Sequence, residues 1–288
     1  MNVNMVYPPR PRRRGRVMAL HCSGAGASQW GYLAEALGGG YEVLAPEHFG
    51  CESTGPWTGE RPFTLADEAA RAIALIDACE GKVHLVGHSY GGGVALNVAL
   101  ARPDRIASMA LYEPSAFHLL RQMSGVAAEA FAEITGIARR MCQGVVTGDY
   151  RGAVAAFVNY WNGPGAWEAL RPSVQDALTR WAPKAPLDFR ALIEEPTLAR
   201  AYRGLRFPVL LLRGEHAPLP TRVIADGLSH LLPASRLLTI EGAGHMGPLT
   251  HAPEVSALIV QHIEAVEEAL THGPPPPRPR TRPVETVS

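Results

Sequence analysis

The hydrophobic residues fall into two alternating patterns over the first part of the chain. Short apolar runs closed by small or turn-forming residues predict buried parallel strands: RVMALHCSG (16–24), YEVLAP (41–46), VHLVGH (83–88) and IASMALYEP (106–114). Helix-spaced stripes stand between them. One covers Trp30–Leu37 and stops at the glycines 38–40. A second covers Leu65–Cys79, with Leu65, Ala69, Ala72, Ile73, Leu75 and Ile76 apolar and Thr64 placed as N-cap. After VHLVGH, SYGGG (89–93) reads as a turn into the Ala-rich helix VALNVALAR (94–102), which Pro103 closes.

The rhythm then breaks. From Ala116 to Gly204 the pattern is one of successive helices punctuated by Gly and Pro, with Tyr150, Phe157, Tyr160, Trp161, Trp167 and Trp181 interspersed. It resumes with FPVLLLRG (207–214), a helix near Arg222–Leu231, SRLLTI (235–240) and a last helix across Pro253–Leu270. The prediction is an α/β fold with a doubly wound, mostly parallel sheet, its core at 16–115 and 205–271 and a helical cap at 116–204. Ligands bind beyond the C-terminal ends of the strands in such sheets, so the cap should lie there. The flanks, 1–15 and 272–288, are Pro/Arg-rich and almost free of large apolar side chains; they are expected to be extended tails.

Composition narrows the function classes. Of 288 residues, 47% are hydrophobic and 19% charged, enough apolar material for one large core. Basic and acidic residues are equal at 27 each, so no net field draws the protein to nucleic acid or anionic lipid. Cys22, Cys51, Cys79 and Cys142 lie far apart with no metal-ligand spacing, as for reduced thiols. No signal-peptide pattern and no run of about 18 apolar residues is present. The expectation is a soluble cytoplasmic protein acting on a small molecule, with no metal, cofactor, nucleic-acid or membrane partner.

Gly87-His88-Ser89-Tyr90-Gly91 fits G-x-S-x-G, directly after a buried strand and before a helix. That context makes Ser89 a candidate nucleophile, lifted out of the sheet by a tight turn, with the Tyr90 N–H at the helix start as an oxyanion donor. These residues resemble the α/β-hydrolase superfamily, of the kind with a helical cap after the family's sixth strand, and the resemblance runs from about Arg16 to Leu270. It implies that His21-Cys22-Ser23 is the oxyanion loop, with Cys22 where glycine is usual and Ser23 giving the second N–H. It also implies that His245, in Gly-Ala-Gly-His after SRLLTI, is the base.

The acid departs from the family's pattern. Its usual Asp position, after the strand FPVLLLRG, holds Ala217 in Gly-Glu-His-Ala-Pro. Relatives such as haloalkane dehalogenases carry the acid after the preceding strand instead, a position matched by Glu113. Glu113 is therefore the candidate acid. Glu215, a Ser–His dyad with water, or an introduced Asp→Ala change remain open. His88, Phe117, Tyr160, Trp161 and Met246 are candidate pocket residues, and the cap's other aromatics are expected to fill its own core. The resemblance implies a serine hydrolase cleaving a small, mostly apolar carboxylic ester. A hydrolase of carbon–carbon bonds in diketone-like substrates, or a weakly active receptor or scaffold, are the alternatives.

Overall fold

The computed structural model describes residues 15–272. Residues 1–14 and 273–288 of the predicted tails lie outside the described residues. Six strands form one sheet: β1 (Gly15–Leu20), β2 (Tyr41–Leu44), β3 (Val83–His88), β4 (Ile106–Tyr112), β5 (Val209–Gly214) and β6 (Ser235–Ile240). Their order is β2-β1-β3-β4-β5-β6, and every pairing is parallel. Helices α1 (Gly31–Ala36), α2 (Leu65–Ala78) and α3 (Tyr90–Ala101) connect the first four strands. The insertion after β4 contains α4 (Ala127–Thr147), α5 (Tyr150–Asn162), α6 (Ala166–Ala169), α7 (Pro172–Trp181) and α8 (Ala185–Glu194). The core then closes with α9 (Leu219–Leu231), α10 (Gly247–Thr250) and α11 (Ala252–His272).

Both faces of the sheet are covered, which is why its strands read as continuous apolar runs. Met18, Leu20, Leu85, Met109 and Leu111 pack with α2, α3 and the cap. Their strand neighbours Val17, Ala19, Val86, Ala110 and Tyr112 pack on the opposite face with α1 and α11. The alternation follows the two-residue period of a strand. At the start of α2 the Thr64 N–H donates to Asp67 Oδ2 at 2.9 Å, so the helix begins where the N-cap residue placed it. No helix among the described residues is long and apolar enough to cross a membrane.

One boundary differs from the sequence pattern. The glycines after Ser89 are not a turn before a helix at Val94; they are the first turn of α3 itself. They are needed for closeness. A Cβ on Gly91 would stand 2.3 Å from the Leu20 carbonyl oxygen, and one on Gly92 would stand 2.8 Å from Pro114. The helix can approach β1 and the end of β4 only without side chains there.

Candidate active site

Because all strands run the same way, their C-terminal ends share one edge of the sheet. Ser89 follows β3, Glu113 follows β4, and His245 stands in the loop after β6. Among the described residues, Ser89 (φ 53°) and Glu113 (φ 41°) are the non-glycine residues with positive φ. Such backbone is strained, and it persists because the surroundings impose it. The Ser89 N–H donates to Tyr112 O at 3.0 Å, and the Glu113 N–H donates to Leu212 O at 2.9 Å, so each corner is pinned to the neighbouring strand.

The three side chains lie in one hydrogen-bonded line. Glu113 Oε2 is 2.7 Å from His245 Nδ1, and His245 Nε2 is 2.9 Å from Ser89 Oγ. A carboxylate only accepts, so Nδ1 carries the imidazole proton and Nε2 accepts the Ser89 hydroxyl. Glu113 is fully buried. Its Oε1 accepts the Gly214 N–H at 2.9 Å, and its Oε2 also accepts the Thr221 hydroxyl at 2.8 Å. Glu215 is turned elsewhere: it is exposed, and its Oε2 accepts the Gly242 N–H at 2.9 Å. Ala217 is buried and contributes no polar group. A line of this kind can pass the serine proton to the imidazole and balance the resulting charge.

Further contacts hold the line in place. Ser115 Oγ lies 3.2 Å from Ser89 Oγ, and since the Ser89 proton is directed at His245, Ser115 is the donor. Tyr112 Oη donates to Gly244 O at 2.7 Å, fixing the His245 loop. A buried chain crosses from that loop to the end of β1. His88 Nε2 donates to His245 O at 2.9 Å, Gln29 Nε2 donates to His88 Nδ1 at 3.1 Å, and the Cys22 N–H donates to Gln29 Oε1 at 3.0 Å. Burial, with His245 adding to it, holds His88 well below the ordinary histidine range, so this chain runs through a neutral ring. Burial also pushes the Cys22 thiol up to about 12, which leaves it a neutral, unreactive neighbour.

The line opens on a cavity of about 520 Å³ between core and cap. Its walls include Gly24, Val158, Trp161, Leu170, Leu178 and Met246, and His245 and Ser89 stand at one end. A second, small cavity of about 20 Å³ on Ser89 is bounded by Ser115, Phe117, Trp181, Asp188 and Phe189. That is room for about one water-sized group. Trp161 borders both, and its ring stacks on His245 with centroids 4.0 Å apart.

Phe117, Trp161 and Met246 thus meet the cavities, whereas two other pocket candidates do not. His88 is wholly buried beneath the His245 loop in the chain just described. Tyr160 Oη donates to Glu133 Oε1 at 2.6 Å, a half-buried bond that joins α5 to α4. Successive residues of a helix point about 100° apart, so Trp161 can face the cavity while Tyr160 does not. Gln29, Ser115 and Thr221 belong to the site although no motif marks them.

Comparison with known proteins agrees with this architecture. The family model described as "Alpha/beta hydrolase family" matches residues 17–258. Pimeloyl-[acyl-carrier protein] methyl ester esterase of Aeromonas hydrophila is 25% identical over 257 residues, 86% of this chain and 94% of that protein. Lipase LipV of Mycobacterium tuberculosis is 34% identical over 106 residues, 36% of this chain and only 39% of LipV's own length. A hydrolase from Oleispira antarctica shares the fold with a TM-score of 0.73 at 16% identity, covering 91% of this chain and 94% of that one. The chain belongs to the alpha/beta hydrolase family.

Proposed function

We propose that the protein is a serine hydrolase that cleaves a small, mostly apolar carboxylic ester, with Ser89 as nucleophile, His245 as base and Glu113 as acid. The observation that carries this reading is the hydrogen-bonded line Ser89–His245–Glu113, at 2.9 and 2.7 Å, opening on an apolar cavity. Ser89 Oγ attacks the ester carbonyl carbon while His245 Nε2 takes its proton. The main-chain N–H groups of Ser23 and Tyr90 hold the oxyanion; the Tyr90 N–H, in the first turn of α3, has no carbonyl one turn earlier to occupy it. As the carbonyl re-forms, the ester C–O bond breaks and His245 returns the proton to the leaving alcohol. A water then gives a proton to His245 and its oxygen attacks the acyl carbon, releasing the acid and restoring Ser89. Glu113 stays ionised and balances the imidazolium.

The cavities bear on the substrate. The larger, about 520 Å³ and mostly apolar in lining, suits one bulky hydrophobic arm, while the cavity of about 20 Å³ admits a group no larger than a methyl. The names of the methyl ester esterase and the lipase favour an ester over other acyl compounds. The test is hydrolysis of p-nitrophenyl acetate and butyrate, with fluorophosphonate labelling of Ser89. Ser89→Ala is expected to abolish both, and Glu113→Gln to lower kcat on the order of 10³-fold or more. No turnover or labelling that depends on Ser89 sinks the proposal, and near-parental turnover in Glu113→Gln removes Glu113 from it.

A further inference from the structure

Beside the oxyanion loop lies a buried polar cluster that takes no part in making or breaking bonds, although one member, Asp188, also borders the small cavity on Ser89. Lys184 and Asp188 belong to the cap, Glu68 to α2 of the core, and they are 6%, 3% and 2% exposed. Lys184 Nζ pairs with Asp188 and lies 3.2 Å from Glu68 Oε2. Each carboxylate has another bond, and each of these leads to one of the two oxyanion donors. Ser23 Oγ donates to Asp188 Oδ2 at 3.0 Å, and Tyr90 Oη donates to Glu68 Oε2 at 2.9 Å. Glu68 is braced further by the Phe49 N–H at 2.9 Å, with His48 Nδ1 at 3.5 Å.

Burying such a cluster is costly, and apolar residues of the same volume often serve stability equally well. Burial works against the Lys184 charge, yet Asp188 and Glu68 outweigh it and hold the ammonium above its ordinary value. The surrounding backbone is shaped to this arrangement. A Cβ on Gly50 (φ +89°) would meet Lys184 Cβ and Cγ at 3.1 Å, so the loop leaves the lysine stem its path. A Cβ on Gly24 (φ +70°) would meet Leu178 Cδ2 at 2.8 Å, so the cap presses directly on the residue after Ser23.

We infer that Lys184 and Asp188 are positioning residues through which the cap sets the oxyanion hole. Asp188 holds the Ser23 side chain, and Lys184 ties Asp188 to Glu68, which holds that of Tyr90. The two main-chain N–H groups are thereby aimed from opposite ends of a single ion cluster. The inference rests on Ser23 and Tyr90 being the oxyanion donors. An oxyanion donor is effective only within a few tenths of an ångström of its place, and a misplacement of about 1 Å costs on the order of 10²-fold in rate.

Ser23→Ala is a clean probe because it cuts the tether and keeps the main-chain N–H. Asp188→Asn keeps the shape and removes the charge. Rates per active site, counted by fluorophosphonate titration, exclude any misfolded fraction. Each variant is expected to lower kcat for p-nitrophenyl acetate about tenfold with KM within about twofold of the parent. The double variant should match Asp188→Asn alone, because both changes cut one link. Parental kcat in both single variants, or a double loss equal to the product of the single losses, overturns the inference. If the parent shows no turnover that depends on Ser89, the ester reading fails by itself and amide exchange decides the link. Exchange across residues 22–26 should then rise about tenfold in both variants, and unchanged exchange there overturns it.

Discussion

Thr221 shows how finely the acid is held. Its hydroxyl donates to Glu113 Oε2, the same oxygen that faces His245 Nδ1. Thr221→Val keeps the shape and removes a donor to a buried charged group, which costs about 1.5–3 kcal/mol. Urea unfolding should show that loss, and kcat should fall about tenfold as the carboxylate loses one of its restraints. If kcat stays within about twofold, the Gly214 N–H alone orients Glu113. Ser89 and His245 are readable in the sequence because each sits in a contiguous motif joined to a strand end. For the acid the sequence offers only candidates. Ala217 empties the family's usual place, the likeness to haloalkane dehalogenases points to Glu113 at the end of β4, and Glu215 stays open until its side chain is seen turned away. The supporting residues were out of reach for a physical reason: their partners are remote in the chain. Ser115 lies 26 residues from Ser89, Gln29 59 from His88, and Asp188 165 from Ser23. No local pattern encodes such pairs.

At the scale of elements, glycine has opposite values in two helices. Gly91 in α3 stands where a Cβ would be 2.3 Å from the Leu20 carbonyl, whereas Gly136 in α4 has no atom within 4 Å of that position. Gly91→Ala is expected to destabilise by at least about 2 kcal/mol, because backbone and not a flexible side chain must move. Gly136→Ala should stabilise by about 0.5–1 kcal/mol, through lower entropy of the unfolded chain and better helix propensity. Paired urea melts measure both, and equal signs would refute the steric reading of α3. The same contrast explains what the pattern along the chain conveyed. Strands buried on both faces gave clear apolar runs, and the helical stretch between β4 and β5 was plain from its lost alternation. The start of α3 was not, since Gly-Gly-Gly looks like a turn until β1 and Pro114 are seen against it. Which cap aromatics reach the cavity was equally hidden, since periodicity does not say which side of α5 faces the sheet.

For the molecule as a whole, buried histidines set the acid limit of stability. Burial lowers His21 to about 3, with His48 adding to it. Burial likewise lowers His118 and His262 to about 4, helped by Arg121 and Arg236 respectively. In the unfolded chain each titrates near 6.5, so unfolding between those values takes up protons. The stability these neutral rings contribute is therefore complete above about pH 6.5 and is lost as pH falls toward their folded values. Each proton taken up is worth about 1.4 kcal/mol per pH unit, so these three together with His88, which burial also holds well below its ordinary value, impose a slope of about 5 kcal/mol per unit near pH 5. Glu68, for which burial alone would raise the value, is held down to about 2 by His48, Lys184 and the Phe49 N–H. Its contribution is lost only below about pH 4.5, and so lies under the histidine range. Against a total stability of about 5–15 kcal/mol, a slope of this size is decisive. Tm should be flat from pH 8 to 7 and fall steeply between about pH 6 and 4.5, with close to four protons bound on unfolding at about pH 5. Calorimetry in buffers of different ionisation enthalpy counts those protons. His262→Gln, which cannot take one up, should reduce the slope by about a quarter. A Tm that does not change between about pH 6.5 and 4.5 would mean that these rings admit protons without unfolding, and that the packing around them opens at no cost.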